Sequence, residues 1–175
     1  MNTHAESSAK CAEQSISDER LARLVHLAAR AFNRSLQIRL DTQGVTISQW
    51  IFLRILWKED GLSQRELSAR AHLTEPTAHT ALLKMEDLGY IVRRNVDGNR
   101  RRQHAFLTER GWELRDLLVP LAVEANTVAV QGMSVEEQKI LRRALATAIT
   151  NLQQDEVDAA RRGLRVPPTK GKQVA

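Results

Sequence analysis

Five arginines lie close together between residues 93 and 102, and their side chains could bind phosphate. They are Arg93, Arg94, Arg100, Arg101 and Arg102. A single acidic residue, Asp97, lies among them. A guanidinium can donate two parallel hydrogen bonds to a phosphate, and arginine also suits the narrow minor groove of A·T tracts. The cluster therefore indicates contact with nucleic acid, and the alternative is a solubilising surface loop.

A second group of hydrogen-bonding side chains lies on one face of a predicted helix over residues 74–88. The opposite face is apolar, with Ala78, Leu82 and Met85 at helical spacing. Such a polar face can contact base edges in a DNA major groove, where each base pair shows its own donor and acceptor pattern. The alternative is an ordinary solvated helix face. The polar side chains are Glu75, Thr77, His79, Thr80 and Lys84.

Capping signals place a short helix directly before this one. Ser63 and Glu66 have the spacing of a capping box, which predicts a helix over residues 63–71. Thr74 and Pro76 then mark the start of the second helix, because proline is tolerated in a first turn. Two helices joined by so few residues form a helix-turn-helix, whose second helix can enter the major groove.

A hairpin follows the second helix at once. Gly89 ends that helix at the C′ position, and the pattern then changes from helical to β-prone at residues 90–92 and 105–107. Asp97-Gly98 between them is a strong turn signal. The hairpin would form a wing whose tip carries the arginines.

Apolar helices flank the winged helix-turn-helix on its N-terminal side. The first begins near Ser17, ends before Gly44 and has one apolar face. Residues 48–58 are apolar on nearly every side, which is typical of a buried helix, and Asp60-Gly61 ends it.

Two more helices are predicted on the C-terminal side. One starts at Glu109, and its apolar spacing continues past Pro120, so the proline should kink the helix rather than end it. The other starts at a second capping box, Ser134 with Glu137, and its apolar stripe is too long to stand without a partner surface.

These elements predict a fold that is mainly α with a small β-hairpin wing: a winged helix-turn-helix plus a helical dimerisation region. We divide the chain into a disordered tail (1–16), an N-terminal dimerisation helix (17–45), the DNA-binding domain (46–110), C-terminal dimerisation helices (111–160) and a disordered basic tail (161–175).

Composition is consistent with this interpretation and excludes other classes. The formal net charge of +5 favours an anionic partner, and 42% hydrophobic residues suffice for a core. Cys11 is the one cysteine, and neither a membrane-spanning run nor a signal peptide is recognisable, so we expect a cytoplasmic protein. The sequence lacks nucleotide-binding, hydrolase and metalloprotease motifs, and its histidines lack metal-ligand spacing, so we expect no enzyme activity, no metal and no cofactor.

Residues 46–111 resemble the MarR family of bacterial transcriptional regulators. The matching stretches are Ser48-Gln49-Trp50, residues 62–68 (LSQRELS), residues 82–91 (LLKMEDLGYI), and Asn99-Arg100-Arg101 leading to residues 107–111 (LTERG). The flanking helices fit as well, so the resemblance covers most of the chain outside its tails. The family usually has an aspartate where Asn99 stands.

The resemblance implies a homodimer that represses transcription from a pseudo-palindromic operator in double-stranded DNA. It implies base contacts from the second helix and a minor-groove arginine at Arg100 or Arg101. The predicted DNA-binding residues are Ser63, Gln64, Arg65, Thr74, Glu75, Thr77, His79, Thr80, Lys84, Arg94, Asn99, Arg100, Arg101 and Arg102. The predicted dimer interface contains Leu21, Leu24, Leu117, Leu121, Ile140, Leu141, Leu145, Ile149 and Leu152.

The resemblance also implies release from DNA by a small aromatic or phenolic effector. Candidate residues for its pocket are His26, Arg30, Trp50, Leu53 and Trp112, and the alternative is that the tryptophans are core and Arg30 forms a salt bridge. Two other functions remain open: a non-specific architectural DNA-binding protein without an effector, and a redox sensor acting through Cys11.

Overall fold

The computed structural model describes residues 19–96 and 103–166, which are mainly helical. Helix α1 (Leu21–Leu40) is continued by a 3-10 turn (Asp41–Gln43), and Gly44 ends it with φ at 65°. The helix begins at Leu21 rather than near Ser17, because the backbone at Arg20 is extended.

Helix α2 (Ile47–Leu56) is buried, as its composition predicts. Phe52, Leu53 and Leu56 have no exposed surface. Its N-terminus carries a capping box that was not predicted: the Thr46 side chain accepts from the Gln49 backbone N–H, and the Gln49 side chain accepts from the Thr46 N–H.

Two helices joined by a tight turn follow, as predicted. Helix α3 (Gln64–Ala71) starts with the expected capping box between Ser63 and Glu66 and ends at His72 in the left-handed conformation. Helix α4 (Glu75–Asp87) starts with Thr74 as its cap and Pro76 in its first turn.

Within the described residues, the strands form an antiparallel sheet in the order β1–β3–β2. Strands β2 (Ile91–Asn95) and β3 (Gln103–Leu107) make the expected hairpin. Strand β1 (Leu62–Ser63) pairs with β3. It was not predicted, because two residues are too few to show the alternating pattern of a strand. The predicted turn at Asp97-Gly98 lies outside the described residues.

Long helices complete the chain. Helix α5 (Glu109–Ala129) continues through Pro120, as expected from its apolar spacing. Helix α6 (Val135–Arg161) starts with the predicted capping box of Ser134 and Glu137. Helix α1 packs along α5, and an ion pair of 2.9 Å between Arg39 and Glu124 joins them.

The core lies where α2, α3 and α4 meet the sheet and the start of α5. Helix α6 contributes nothing to it, since none of its residues is buried. None of the helices in the described ranges combines the length and apolar character needed to cross a bilayer. The same ranges hold no grouping of acidic, histidine or cysteine side chains suited to a metal ion. Cys11 and the predicted wing-tip residues 99–102 lie outside them.

Candidate nucleic-acid interface

Helix α4 has one buried face and one exposed face. Ala78, Leu82 and Met85 have no exposed surface and fix the helix on the core. At its N-terminus the Thr74 hydroxyl accepts from the Thr77 backbone N–H and lies 2.8 Å from the Thr77 hydroxyl. Because packing and cap both constrain the helix, its other face is presented in a fixed orientation.

The exposed face carries the side chains that the sequence placed there. Thr77, His79, Thr80 and Lys84 are exposed, and Glu75 is half-buried. The Thr80 hydroxyl donates to the Pro76 carbonyl, and its oxygen can still accept a hydrogen bond. Hydroxyl, imidazole and ammonium groups on one surface can pair with base edges and phosphates.

The start of α3 borders this face. The Gln64 side-chain oxygen lies 3.1 Å from His79 Nδ1, and since a carbonyl oxygen only accepts, Nδ1 donates in this contact. Arg65 is exposed beside it. Ser63, predicted to contact DNA, is only 3% exposed, and its hydroxyl is engaged with Glu66 in the cap. We therefore leave Ser63 out of the interface.

The wing strands hold their two described arginines differently. The Arg94 guanidinium lies 4.1 Å above the Phe106 ring, and the residue is exposed. The Arg93 side chain is only 12% exposed and faces helix α4, where it pairs with Glu86. Arg93 is therefore not available to phosphate, although it belongs to the same run of arginines in the sequence.

The pair of Glu86 and Arg93 joins the last turn of α4 to strand β2, and we name it the clasp. Glu86 Oε2 accepts from Arg93 Nε at 2.8 Å and from Nη2 at 2.6 Å, while Oε1 accepts from the Arg93 backbone N–H at 2.9 Å. Hydrogen bonds from the Arg93 guanidinium hold the pKa of Glu86 below its usual value. The stabilisation is present above the ordinary carboxyl pKa and is lost as the pH falls through the lowered one.

The start of α5 is bonded to the junction between α4 and β2. The Thr108 hydroxyl donates to the Gly89 carbonyl at 2.6 Å, and Arg110 donates to the Leu88 carbonyl at 3.0 Å. On its other side, the Trp57 indole N–H donates to the Gly111 carbonyl at 2.9 Å. Helices α2 and α5 and the α4–β2 junction are thus connected by hydrogen bonds.

A groove of about 410 Å³ lies between α2 and α5. The Trp50 and Trp57 rings meet edge to face with centroids 5.7 Å apart, and the Arg54 guanidinium lies 5.7 Å from the Trp50 ring. Among the described residues that line the groove, three are cationic and none is acidic. The lining residues are Trp50, Arg54, Trp57, Lys58, Arg115, Val119, Ala122, Val123 and Asn126.

The groove contains one of the five residues predicted for an effector pocket, namely Trp50. Leu53 is fully buried in the core, while His26, Arg30 and Trp112 are exposed and are not among the lining residues. The other lining positions in α2 and directly after it were detectable in the sequence, because residues 50, 54, 57 and 58 follow the spacing of one helix face. The α5 residues follow the same spacing.

Apolar side chains of α1, α5 and α6 are left exposed. Leu21 is 69% exposed, Leu117 52% and Leu152 67%. Leu24 and Leu121 are half-buried, and Leu121 packs against the core. The remaining predicted interface residues are exposed: Ile140, Leu141, Leu145 and Ile149.

A capped helix pair, a basic hairpin beside its second helix and long flanking helices define a winged helix-turn-helix protein. The family model described as "MarR family" matches residues 43–102. The chain belongs to the MarR family of transcriptional regulators.

Two relatives show what the chain is similar to. The HTH-type transcriptional regulator TtmR of Methylorubrum extorquens is 31% identical over 132 residues, which are 74% of this chain and 66% of the relative. An HTH-type transcriptional repressor of Mycobacterium tuberculosis is 27% identical over 128 residues, which are 73% of this chain and 92% of the repressor.

The mycobacterial protein has been solved with two different molecules. Its complex with salicylic acid matches with a TM-score of 0.62 at 26% identity, covering 75% of this chain and 97% of that one. Its complex with DNA matches with a TM-score of 0.64 at 24% identity, and the match covers 75% of this chain and 98% of that one.

Proposed function

We propose that this chain is a sequence-specific DNA-binding repressor that acts as a homodimer on a two-fold symmetric operator. The observation that carries the proposal is the exposed polar face of α4, held by a buried apolar face, an N-terminal cap and the adjoining wing. A recognition helix needs that combination, because its side chains must meet base edges in a fixed register. The DNA complex of the mycobacterial relative supports the same interpretation.

The homodimer is supported by the exposed apolar faces of α1, α5 and α6. A helix of 27 residues without a buried side chain gains little from packing in a monomer. Contiguous exposed apolar surface on several helices marks an interaction site. A two-fold dimer would cover these faces with a second copy and would place two copies of α4 about 34 Å apart, one DNA turn.

His79→Ala tests sequence recognition. We expect binding to the operator to weaken about tenfold, within the roughly 1–3 kcal/mol that a good base contact contributes, while binding to unrelated DNA stays unchanged. Fluorescence anisotropy with both duplexes would measure this, after footprinting on the DNA that flanks the gene has located the operator. Lys139→Ala, which removes a cation from α6, is the control and should change neither affinity. Equal losses on both duplexes would instead indicate an architectural protein without sequence preference.

We also propose that the groove between α2 and α5 binds an anionic aromatic effector that releases the DNA. Two indoles can hold a ring, and Arg54, Lys58 and Arg115 can pair with a carboxylate. The salicylic acid complex of the mycobacterial relative supports this ligand class. A ligand that prefers a dimer with the wrong separation of its α4 helices would shift the population away from DNA binding.

Arg54→Ala tests the effector site with salicylate as the probe. We expect its dissociation constant, measured by calorimetry, to rise about tenfold, because a charge-assisted hydrogen bond is lost. Operator affinity without salicylate should stay the same. Arg143→Ala, a matched loss of an exposed arginine on α6, should leave salicylate binding intact. Equal salicylate affinity in both variants and the unmodified chain would contradict the proposed site.

A further inference from the structure

The clasp uses both oxygens of one carboxylate to connect two different elements. Glu86 lies in the last turn of α4, and Arg93 lies in the middle of β2, on the far side of the turn at Gly89. The two side-chain bonds fix the guanidinium, and the bond from the Arg93 backbone N–H fixes the strand itself. Strand β2 cannot rotate away from α4 without breaking all three bonds.

Because β2 is a regular strand, fixing Arg93 also fixes the orientation of the neighbouring wing residues. Successive side chains of a strand point to opposite faces, so holding Arg93 against α4 directs Arg94 to the other face, where it lies over Phe106. The stretch of sequence between strand β2 and its partner β3 contains Arg100, Arg101 and Arg102. Strand β1 pairs with β3 only at His104 and Ala105, so at Asn95 and Gln103 the described sheet has only two strands. A two-stranded ribbon twists easily, and its orientation therefore depends on how its base is attached.

We propose that Glu86 is a positioning residue that sets the angle between the recognition helix and the wing, so that both meet one DNA duplex together. The inference rests on the proposed function. It gives an acidic residue a positive role in DNA binding, although a carboxylate beside a DNA-binding surface would by charge alone repel phosphates. It also means that the Arg93 guanidinium binds Glu86 within the protein and does not contact DNA.

Glu86→Gln distinguishes charge repulsion from positioning by the direction in which DNA affinity changes. Removing a negative charge should tighten DNA binding if only charge matters, whereas loss of the clasp should weaken operator binding about tenfold. The slope of log affinity against log salt concentration should fall by about 1 to 2 as wing arginines leave the phosphates. Asp87→Asn is the matched control, since it removes the same charge from the next, exposed residue. It should bind as tightly as the unmodified chain or more tightly.

A double-mutant cycle completes the test. Arg93→Gln should weaken binding as much as Glu86→Gln, and the double variant should lose little more, because both changes break one interaction. Circular dichroism melting of each variant separates positioning from folding: a folding defect lowers the active fraction without changing the salt slope. Glu86→Gln binding as tightly as Asp87→Asn, or an unchanged slope, would overturn the inference. If the unmodified chain shows no operator preference, the proposed function itself fails, which is a different result.

Discussion

Ile149→Glu is expected to convert the proposed dimer into a monomer and to reduce operator affinity at least about 100-fold. Ile149 is 56% exposed and lies in the middle of the α6 stripe formed with Leu145 and Leu152. In a dimer this stripe would be covered, and a carboxylate there would lose its water without gaining a partner. Because two linked half-site contacts bind about 10² to 10⁴ times more tightly than one, loss of the dimer removes most of the affinity.

Thr150→Glu is the matched control for this change. It adds the same charge one residue further along α6, about 100° around the helix from Ile149 and outside the apolar stripe. There the Thr150 hydroxyl donates to the Ala146 carbonyl. Sedimentation equilibrium should find a monomer for Ile149→Glu and a dimer for Thr150→Glu. Fluorescence anisotropy should find weakened operator binding for Ile149→Glu and unchanged operator binding for Thr150→Glu. A dimer that survives Ile149→Glu with full operator affinity would contradict the proposed interface.

The elements that the sequence predicts well are those with strong local signals. Ser63 with Glu66 and Ser134 with Glu137 form the capping boxes that their spacing predicts, and Gly89 follows α4 with φ at 70°. In each case the residues that decide the conformation lie within a few positions of one another. No knowledge of the rest of the chain is required for such predictions.

The features that the sequence does not reveal depend on contacts between distant segments. Strand β1 exists because Leu62 pairs with Ala105 across the sheet. The clasp crosses from helix to strand, so neither the helical nor the strand period alone predicts that Glu86 and Arg93 meet. Periodicity also fails to separate Leu117 from Leu118: the first is 52% exposed and the second fully buried.

The proposed effector groove and the DNA-binding surface are connected through the same structural junction. Trp57 lines the groove and donates to Gly111, while Thr108 and Arg110, immediately before it, hold the carbonyls at the end of α4. A change in the position of Trp57 would therefore act on the base of the recognition helix and the wing. The junction tolerates little displacement, and Gly111 provides the most direct test of that.

Gly111→Ala is expected to destabilise the fold by about 3 kcal/mol, as severe overpacking does. A Cβ atom at this position would lie 2.1 Å from the Tyr90 carbonyl oxygen and 2.9 Å from a Leu107 methyl carbon. The oxygen cannot move freely, because it also accepts from the Thr108 backbone N–H at 3.1 Å. Helix propensity alone predicts the opposite sign, since alanine is favoured over glycine in a helix by about 1 kcal/mol.

Gly132→Ala is the control for this substitution. Gly132 has φ at 86° and open space around its Cβ position, so the change there introduces backbone strain without a collision. Differential scanning calorimetry at equal protein concentration should show a fall in melting temperature of about 6–12 °C for Gly111→Ala, because each kcal/mol costs roughly 2–4 °C in a chain of this size. The fall for Gly132→Ala should be smaller. A Gly111→Ala variant that melts at or above the temperature of the unmodified chain would mean that the α5 start is not tightly packed against the α4–β2 junction. Groove occupancy could then not be transmitted to the recognition helix through this contact.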